Sequence, residues 1–166
     1  MRWYSCILGA VVVGMIFHDV HSAPEKPNFA GEWKSESSDS SSGWGQQMTV
    51  TQDASTLSIE YVFFASDDRQ PPLKFDYDLN GKVTTNSVMM GRGIQTETST
   101  TVWSGERLVI TTVYPITHPA DGKSLTVEVQ RILWLESPTS LIVEKTRAGV
   151  MGGPAATSRT RYTKLG

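Results

Sequence analysis

The sequence predicts an all-β protein, an antiparallel meander that closes into a barrel of roughly 8–10 strands. Short segments alternate between apolar and polar residues with a period of two, and they are rich in Val, Ile, Thr and aromatic residues. Gly, Pro, Asn and Asp separate these segments, and no stretch carries the apolar 3.6-residue period of a major helix. Because an open meander would leave two exposed sheet edges, closure into a barrel is the simplest arrangement.

The clearest strand covers residues 73–79, where one face is apolar and the other is charged. The apolar positions are Leu73, Phe75, Tyr77 and Leu79, and they alternate with Lys74, Asp76 and Asp78. Asn80-Gly81 follows, which is the dipeptide best suited to a type I′ turn. The pattern therefore predicts a hairpin in which residues 82–89 return beside residues 73–79.

The same pattern predicts the remaining strands. They cover residues 29–34, 47–51, 56–65, 94–103, 107–114, 124–135, 141–147 and 157–164. Most connections between them are short, which favours pairing in sequence order. The predicted interior includes the aromatic residues Tyr61, Phe63, Phe75, Tyr77 and Tyr114.

The first residues are typical of a signal peptide. Arg2 precedes an apolar run over residues 6–17 that is too short to span a bilayer, and the small-residue rule places cleavage between Ser22 and Ala23. The predicted organisation is a signal peptide at 1–22, a linker at 23–27 and one barrel domain at 28–166, with secretion or export to the periplasm. An uncleaved anchor is the alternative interpretation of the leader.

Composition excludes several classes of function. A net charge of -2 and a pI near 5.9 argue against a nucleic-acid partner. The single cysteine, Cys6, lies in the leader, and His118 is the only histidine after residue 22. Those residues are too few for a zinc site, and no Gly-x-Ser-x-Gly motif accompanies His118. We therefore expect no metal, no cofactor, no membrane-spanning segment after the leader and no enzymatic activity.

Arg131 interrupts an apolar alternation in the strand at residues 124–135, whose other members on that face are Leu125, Val127, Val129 and Leu133. Two interpretations remain open. Arg131 binds an acidic head group inside the barrel, or a β-bulge returns its charge to solvent. The aromatic positions leave a similar choice between a filled core and a ligand cavity.

Several motifs resemble lipocalins and lipocalin-like secreted bacterial proteins. Residues 28–33 (NFAGEW) resemble their Gly-x-Trp opening strand, and residues 103–110 (WSGERLVI) and 134–138 (WLESP) resemble hairpins of the bacterial group. Tyr162-Thr163-Lys164 fits the closing strand. The resemblance implies a barrel in which Trp33, after Gly31, packs at the closed end beneath an arginine of the last strand, either Arg159 or Arg161. The chain lacks the disulfide cysteines of classical lipocalins.

These observations support two functional hypotheses. In the first, the barrel carries or sequesters a small apolar ligand or lipid, with Tyr61, Phe63, Phe75, Tyr77, Tyr114 and Arg131 as candidate binding residues. In the second, the core is filled and the barrel is a protein-interaction or structural module that uses loops near residues 35–45 and 149–154.

Overall fold

The computed structural model describes residues 25–37, 43–62, 64–65, 68–69, 72–90, 93–118, 121–149 and 153–166. The predicted signal peptide and Phe63 lie outside the described residues. The described chain contains twelve strands and, within these ranges, no helix. The strands are β1 (Gly31–Ser35), β2 (Gln47–Gln52), β3 (Thr56–Tyr61), β4 (Phe64–Ala65), β5 (Asp68–Arg69), β6 (Leu73–Asp78), β7 (Thr84–Met90), β8 (Gly93–Ser104), β9 (Arg107–Thr117), β10 (Ser124–Ser137), β11 (Ser140–Arg147) and β12 (Ala156–Lys164).

Ten of these strands form one antiparallel sheet in the order β6-β3-β2-β1-β12-β11-β10-β9-β8-β7. Strands β4 and β5 form a separate two-stranded ribbon. The order is a meander that returns on itself through the pairing of β1 with β12, so the sheet curls into a nearly closed barrel. The predicted fold class is confirmed.

The two ends of the barrel differ in how deeply their inward-facing side chains are buried. Along β9, Leu108 and Ile110 are fully buried, whereas Tyr114 near the other end of the strand is only half-buried. The same gradient follows β11, from buried Leu141 to exposed Arg147, and β12, from buried Tyr162 to exposed Ala156. We call the end at Leu108, Leu141 and Tyr162 the closed end, and the opposite end the open end.

Residues 27–30, which precede β1 and which we call the strap, cover the closed end. The Phe29 amide donates a hydrogen bond to Gln52 Oε1 at 2.9 Å, and Gln52 Nε2 donates to the Pro27 carbonyl at 3.1 Å. The Phe29 ring stacks on Trp103, with centroids 6.0 Å apart, and Trp33 Nε1 donates to the Phe29 carbonyl at 2.9 Å. This strap satisfies its own polar groups, so it closes the barrel without burying unpaired backbone.

The cation over Trp33 comes from the last strand, but it is not an arginine. Lys164 Nζ lies 5.4 Å from the centre of the Trp33 ring. The φ of Gly31 is +145°, which L side chains rarely adopt, so this position favours glycine, and a Cβ atom there would also displace the end of the Lys164 side chain. Arg159 and Arg161 lie on the outer face, paired with Glu144 and Glu136. The expectation that one of them covers Trp33 is therefore wrong, because both have the opposite parity to the inward residues of β12.

The predicted hairpin of residues 73–79 and 82–89 is correct in its strands and wrong in its pairing. The turn at Asn80-Gly81 is present, with a φ of 84° at Gly81. Strands β6 and β7 nevertheless pair with β3 and β8, and they are the two ends of the sheet order. They meet at a seam where no backbone ladder joins them in the described chain.

Side chains join the two strands at this seam. Asn86 Oδ1 accepts a hydrogen bond from the Asp76 amide at 2.8 Å, and Asn86 Nδ2 donates to the Asp76 carbonyl at 3.1 Å. Beyond β7, the Thr101 hydroxyl of β8 donates to the Asp78 carbonyl of β6. The buried Asn86 carboxamide thus satisfies the amide and carbonyl of Asp76 in place of a backbone ladder between the two strands.

Candidate functional site

Arg131 faces the interior of the barrel. The backbone pairing of β10 runs without interruption through Arg131 to both neighbours, Ile110 on β9 and Lys145 on β11. The irregularity in β10 lies at Leu135 and Ser137. Arg131 therefore keeps the parity of Val129 and Leu133, which are buried, and the interpretation of a bulge at Arg131 is wrong.

Trp44, from the loop between β1 and β2, lies against Arg131 inside the barrel. The guanidinium carbon Cζ lies 5.0 Å from the centre of the Trp44 ring, within the range of a cation–π interaction. Trp44 also meets Tyr77 edge to face, with centroids 6.2 Å apart. Only 2% of Trp44 is exposed, so this loop residue is part of the interior.

Tyr162 holds the Trp44 loop in place. Its hydroxyl accepts a hydrogen bond from the Trp44 amide at 3.1 Å and donates one to the Gly45 carbonyl at 2.8 Å. A Cβ atom at Gly43 would collide with the same hydroxyl. Glycine at position 43 therefore permits the close approach that positions Trp44 over Arg131.

The tyrosines around Arg131 remain protonated. Burial raises the pKa of Tyr77 and of Tyr162 far above the usual range, although Arg131 and hydrogen bonds to Trp44 oppose the shift. Burial also raises the pKa of Tyr61; the charge of Arg131 opposes this shift and the charge of Glu97 adds to it. These hydroxyls are therefore neutral at physiological pH and do not balance the charge of Arg131.

Arg131 also lacks a direct ionic partner among the described residues. The five ion pairs of the described chain do not include it. Its Nε is buried and has no hydrogen-bond acceptor in that part of the molecule. A buried donor of a charged group without an acceptor is costly, so this nitrogen is an unsatisfied donor inside the barrel.

The structure brings most of the predicted binding residues to one interior. Tyr77 and Phe75 are buried, Tyr61 is half-buried, and Tyr61 stacks on Phe75 with centroids 5.9 Å apart. Tyr114 has inward parity and lies toward the open end, beyond Ile110 and Thr112 on β9. Phe63 lies outside the described residues.

The threonine-rich part of β8 divides between the two faces. Thr96 and Thr98 are exposed, as expected for solvent-facing strand residues. Thr101 is buried, and Glu97 shares its inward parity together with Ser99. Burial raises the pKa of Glu97, against a lowering by Arg131. Glu97 therefore brings a second charge into the interior.

Sequence reasoning missed two residues of the site, Trp44 and Glu97. Trp44 is a large aromatic residue between two glycines in an otherwise polar, serine-rich loop, and this isolation was the available signal. Glu97 alternates with Ser99 and Thr101, so its side was ambiguous in a strand where both faces are polar.

His118, the only histidine after residue 22, takes part in a turn. His118 Nδ1 lies 2.9 Å from Asp121 Oδ1, and the His118 amide donates to the Lys123 carbonyl at 2.8 Å. Within the described ranges, no group of three or more His, Cys, Asp or Glu side chains is placed to hold a metal ion. In the same ranges, no helix has the length and apolar character needed to cross a membrane.

Comparison with known proteins found no match, whether to a protein-family model, to a curated protein or to a solved structure. The resemblance to lipocalin-like proteins therefore stays a prediction. The interior around Arg131 is the basis for any functional conclusion.

Proposed function

We propose that the protein binds a small amphipathic molecule inside its barrel, with an anionic group of the ligand on Arg131. The observation that carries the proposal is the buried Nε of an inward-facing arginine, which has no hydrogen-bond acceptor among the residues that the structure describes. The guanidinium presents planar donors that suit a carboxylate or a phosphate. Trp44 and Tyr77 beside it make the surroundings of the guanidinium aromatic and apolar.

The burial gradient supports entry from the open end. Inward-facing side chains there, such as Tyr61, Tyr114 and Leu125, are only half-buried, whereas the strap at Phe29 covers the closed end. A pocket that is apolar and has a few polar groups is the common form of a ligand site. With the predicted leader at residues 1–22, the protein would act outside the cytoplasm as a carrier or sequestering protein.

Ligand titration tests this proposal. The protein is purified from cells that express the full chain, and intrinsic tryptophan fluorescence is followed while a medium-chain alkyl acid or alkyl phosphate is added. We expect saturable binding that Arg131→Gln weakens by about tenfold or more, because a charge-assisted hydrogen bond contributes roughly 1.5–3 kcal/mol. Arg161→Gln, on the outer face, is the matched control and leaves the affinity unchanged. Equal affinities of the two variants, or no saturation at all, would contradict the proposal.

A second candidate function is association between copies of this chain through the outer face of β7 and β8. Ile94 and Val102 on β8 are exposed by 75% and 64%, Val83 just before β7 is exposed by 67%, and the outward residues of β8 include the uncharged Thr96 and Thr98. Two copies of the chain can bring such an uncharged face together without repulsion between like charges. Sedimentation velocity of the wild type and of Val102→Lys tests it. A concentration-dependent dimer that the substitution abolishes is the expected result.

A further inference from the structure

A loop residue occupies the interior at the proposed anion site. The Arg131 Cζ atom lies 5.0 Å from the centre of the Trp44 ring, and only 2% of Trp44 is exposed. This cation–π contact leaves the buried Arg131 Nε without a hydrogen-bond acceptor among the described residues. Trp44 therefore fills the space beside the guanidinium without satisfying all of its donors.

The barrel wall is short on the side from which Trp44 enters. Strands β1 and β2 have 5 and 6 residues, whereas β10 has 14. Strand β1 pairs only with the last part of β12, from Tyr162 to Lys164. The loop that follows β1 therefore begins partway along the barrel axis, and its residues 43–46, which we call the Trp44 loop, turn inward. This position allows Trp44 to reach Arg131, which lies midway along β10.

A small number of hydrogen bonds holds the backbone of the Trp44 loop. The Tyr162 hydroxyl accepts from the Trp44 amide at 3.1 Å and donates to the Gly45 carbonyl at 2.8 Å. At the start of β2, the Ser35 amide donates to the Gln46 carbonyl at 2.7 Å. Trp44 itself lies in a turn and not in a strand. One hydroxyl group therefore provides both of the long-range bonds on either side of the indole.

The strand residues around the guanidinium are held more firmly than Trp44. Arg131 pairs with Ile110 on one side and with Lys145 on the other, each within a long ladder. Tyr77, which meets the Trp44 ring edge to face, lies in β6 and pairs with Leu57 of β3. Because the Arg131 Nε is buried, a ligand reaches it only after an interior group moves. Displacement of Trp44 breaks fewer backbone hydrogen bonds than displacement of these strands.

We propose that Trp44 is a gate, which closes the Arg131 site in this structure and which an anionic ligand displaces when it binds. The inference rests on the proposed function, since it names the residue that regulates access to the same site. Hydrogen bonds from a guanidinium to a carboxylate or phosphate are stronger than a cation–π contact, so the anionic group can replace the indole. Tyr162 is a positioning residue, because its hydroxyl holds the gate closed.

Calorimetric titration with sodium dodecanoate, kept below its critical micelle concentration, tests the gate on protein purified from cells that express the full chain. Trp44→Ala removes the ring that the ligand would have to displace, and we expect the variant to bind about tenfold more tightly than the wild type, a difference of about 1.4 kcal/mol. Tyr162→Phe keeps the buried ring and removes only the hydroxyl, and it should raise the affinity about threefold. Trp134→Ala, on the outer face beside Arg107 and Arg159, is the control and leaves the affinity unchanged.

A second measurement follows the Trp44 ring itself. Acrylamide quenching of the wild type and of Trp44→Phe is recorded with and without saturating dodecanoate, and the difference between the two proteins isolates Trp44. We expect Trp44 to be shielded in the free protein and accessible at saturation, and this measurement together with Tyr162→Phe decides the question if Trp44→Ala does not fold. If Trp44→Ala binds no more tightly than the wild type, or if Trp44 stays shielded at saturation, the inference is wrong while the proposed function stands. If neither the wild type nor Trp44→Ala binds dodecanoate saturably, both are wrong.

Discussion

The two ends of the barrel are built from the same alternating strands, yet they differ in chemistry. At the closed end the inward residues are apolar and fully buried, as Trp33, Leu133 and Leu141 show. Toward the open end the inward positions become polar or half-buried, as at Glu97 and Tyr114. One end thus resembles an ordinary protein core, and the other retains groups that water or a ligand can reach.

The contrast separates the residues that stabilise the fold from those of the proposed binding site along the barrel axis. Burial of large apolar side chains supplies most of the folding free energy of a domain, and these side chains concentrate at the closed end. The groups around Arg131 lower stability unless their charges are compensated, which is the common condition of a binding site. Substitutions at the two ends should therefore have different consequences.

The largest expected effect is the loss of Trp33 at the closed end. Trp33→Ala removes a fully buried ring and its hydrogen bond to Phe29, and we expect it to lower the free energy of unfolding by about 3–5 kcal/mol. Tyr61→Ala, at the open end, removes a half-buried ring that stacks on Phe75 and should lower it by about 1–2 kcal/mol. Urea denaturation measures both. Equal losses would contradict the separation of the two ends.

The seam between β6 and β7 provides the next test, because side chains and not a backbone ladder connect the barrel wall there. Asn86→Ala leaves the amide and carbonyl of Asp76 without their partners, and we expect a loss of about 1–3 kcal/mol. Hydrogen exchange at the Asp76 amide should accelerate. Asn28→Ala, which removes one exposed local hydrogen bond, is the control with a smaller loss. Unchanged protection of Asp76 would show that Asn86 does not close the seam.

A pH-dependent effect should follow from Glu97 at the open end. Because the pKa of Glu97 is raised in the folded state, its stabilising contribution is fully present below the pKa of an unfolded Glu, about 4.3, and is lost as the pH rises through the folded pKa. Glu97→Gln should therefore be more stable than the wild type at pH 7, with a difference that disappears below about pH 4. Denaturation across this range checks it, and a difference independent of pH would contradict it.

The smallest expected effect concerns the outer face of the barrel, which belongs to neither the closed end nor the open end of the interior. Arg161 pairs with Glu136 at 2.9 Å, and both side chains are about half exposed. Arg161→Gln should lower the free energy of unfolding by about 0–1 kcal/mol, and less at high salt. Thermal denaturation at two salt concentrations measures this. A loss as large as that of Trp33→Ala would show that the outer face, and not the closed end, stabilises the barrel.

Much of the interior could be predicted from alternation alone. The alternation placed Phe75 and Tyr77 inside and Lys74 outside, because the pleat of a strand turns successive side chains to opposite faces. The same rule did not decide whether the Arg131 side chain faces the interior or solvent, because a β-bulge would reverse its direction without any change in the neighbouring residues. Only the uninterrupted register with β9 and β11 placed it inside.

Most strands, most of the pairings in the meander and the face on which most side chains lie could be predicted from the sequence, because they follow from local backbone geometry and short connections. Tertiary structure alone decided that Lys164 covers Trp33, that Asn86 joins the seam, and that Trp44 enters the interior to meet Arg131. Each of these contacts joins residues far apart in the chain or across the closure of the barrel. Local alternation does not specify them, because they depend on how the curled sheet brings distant strands and loops together.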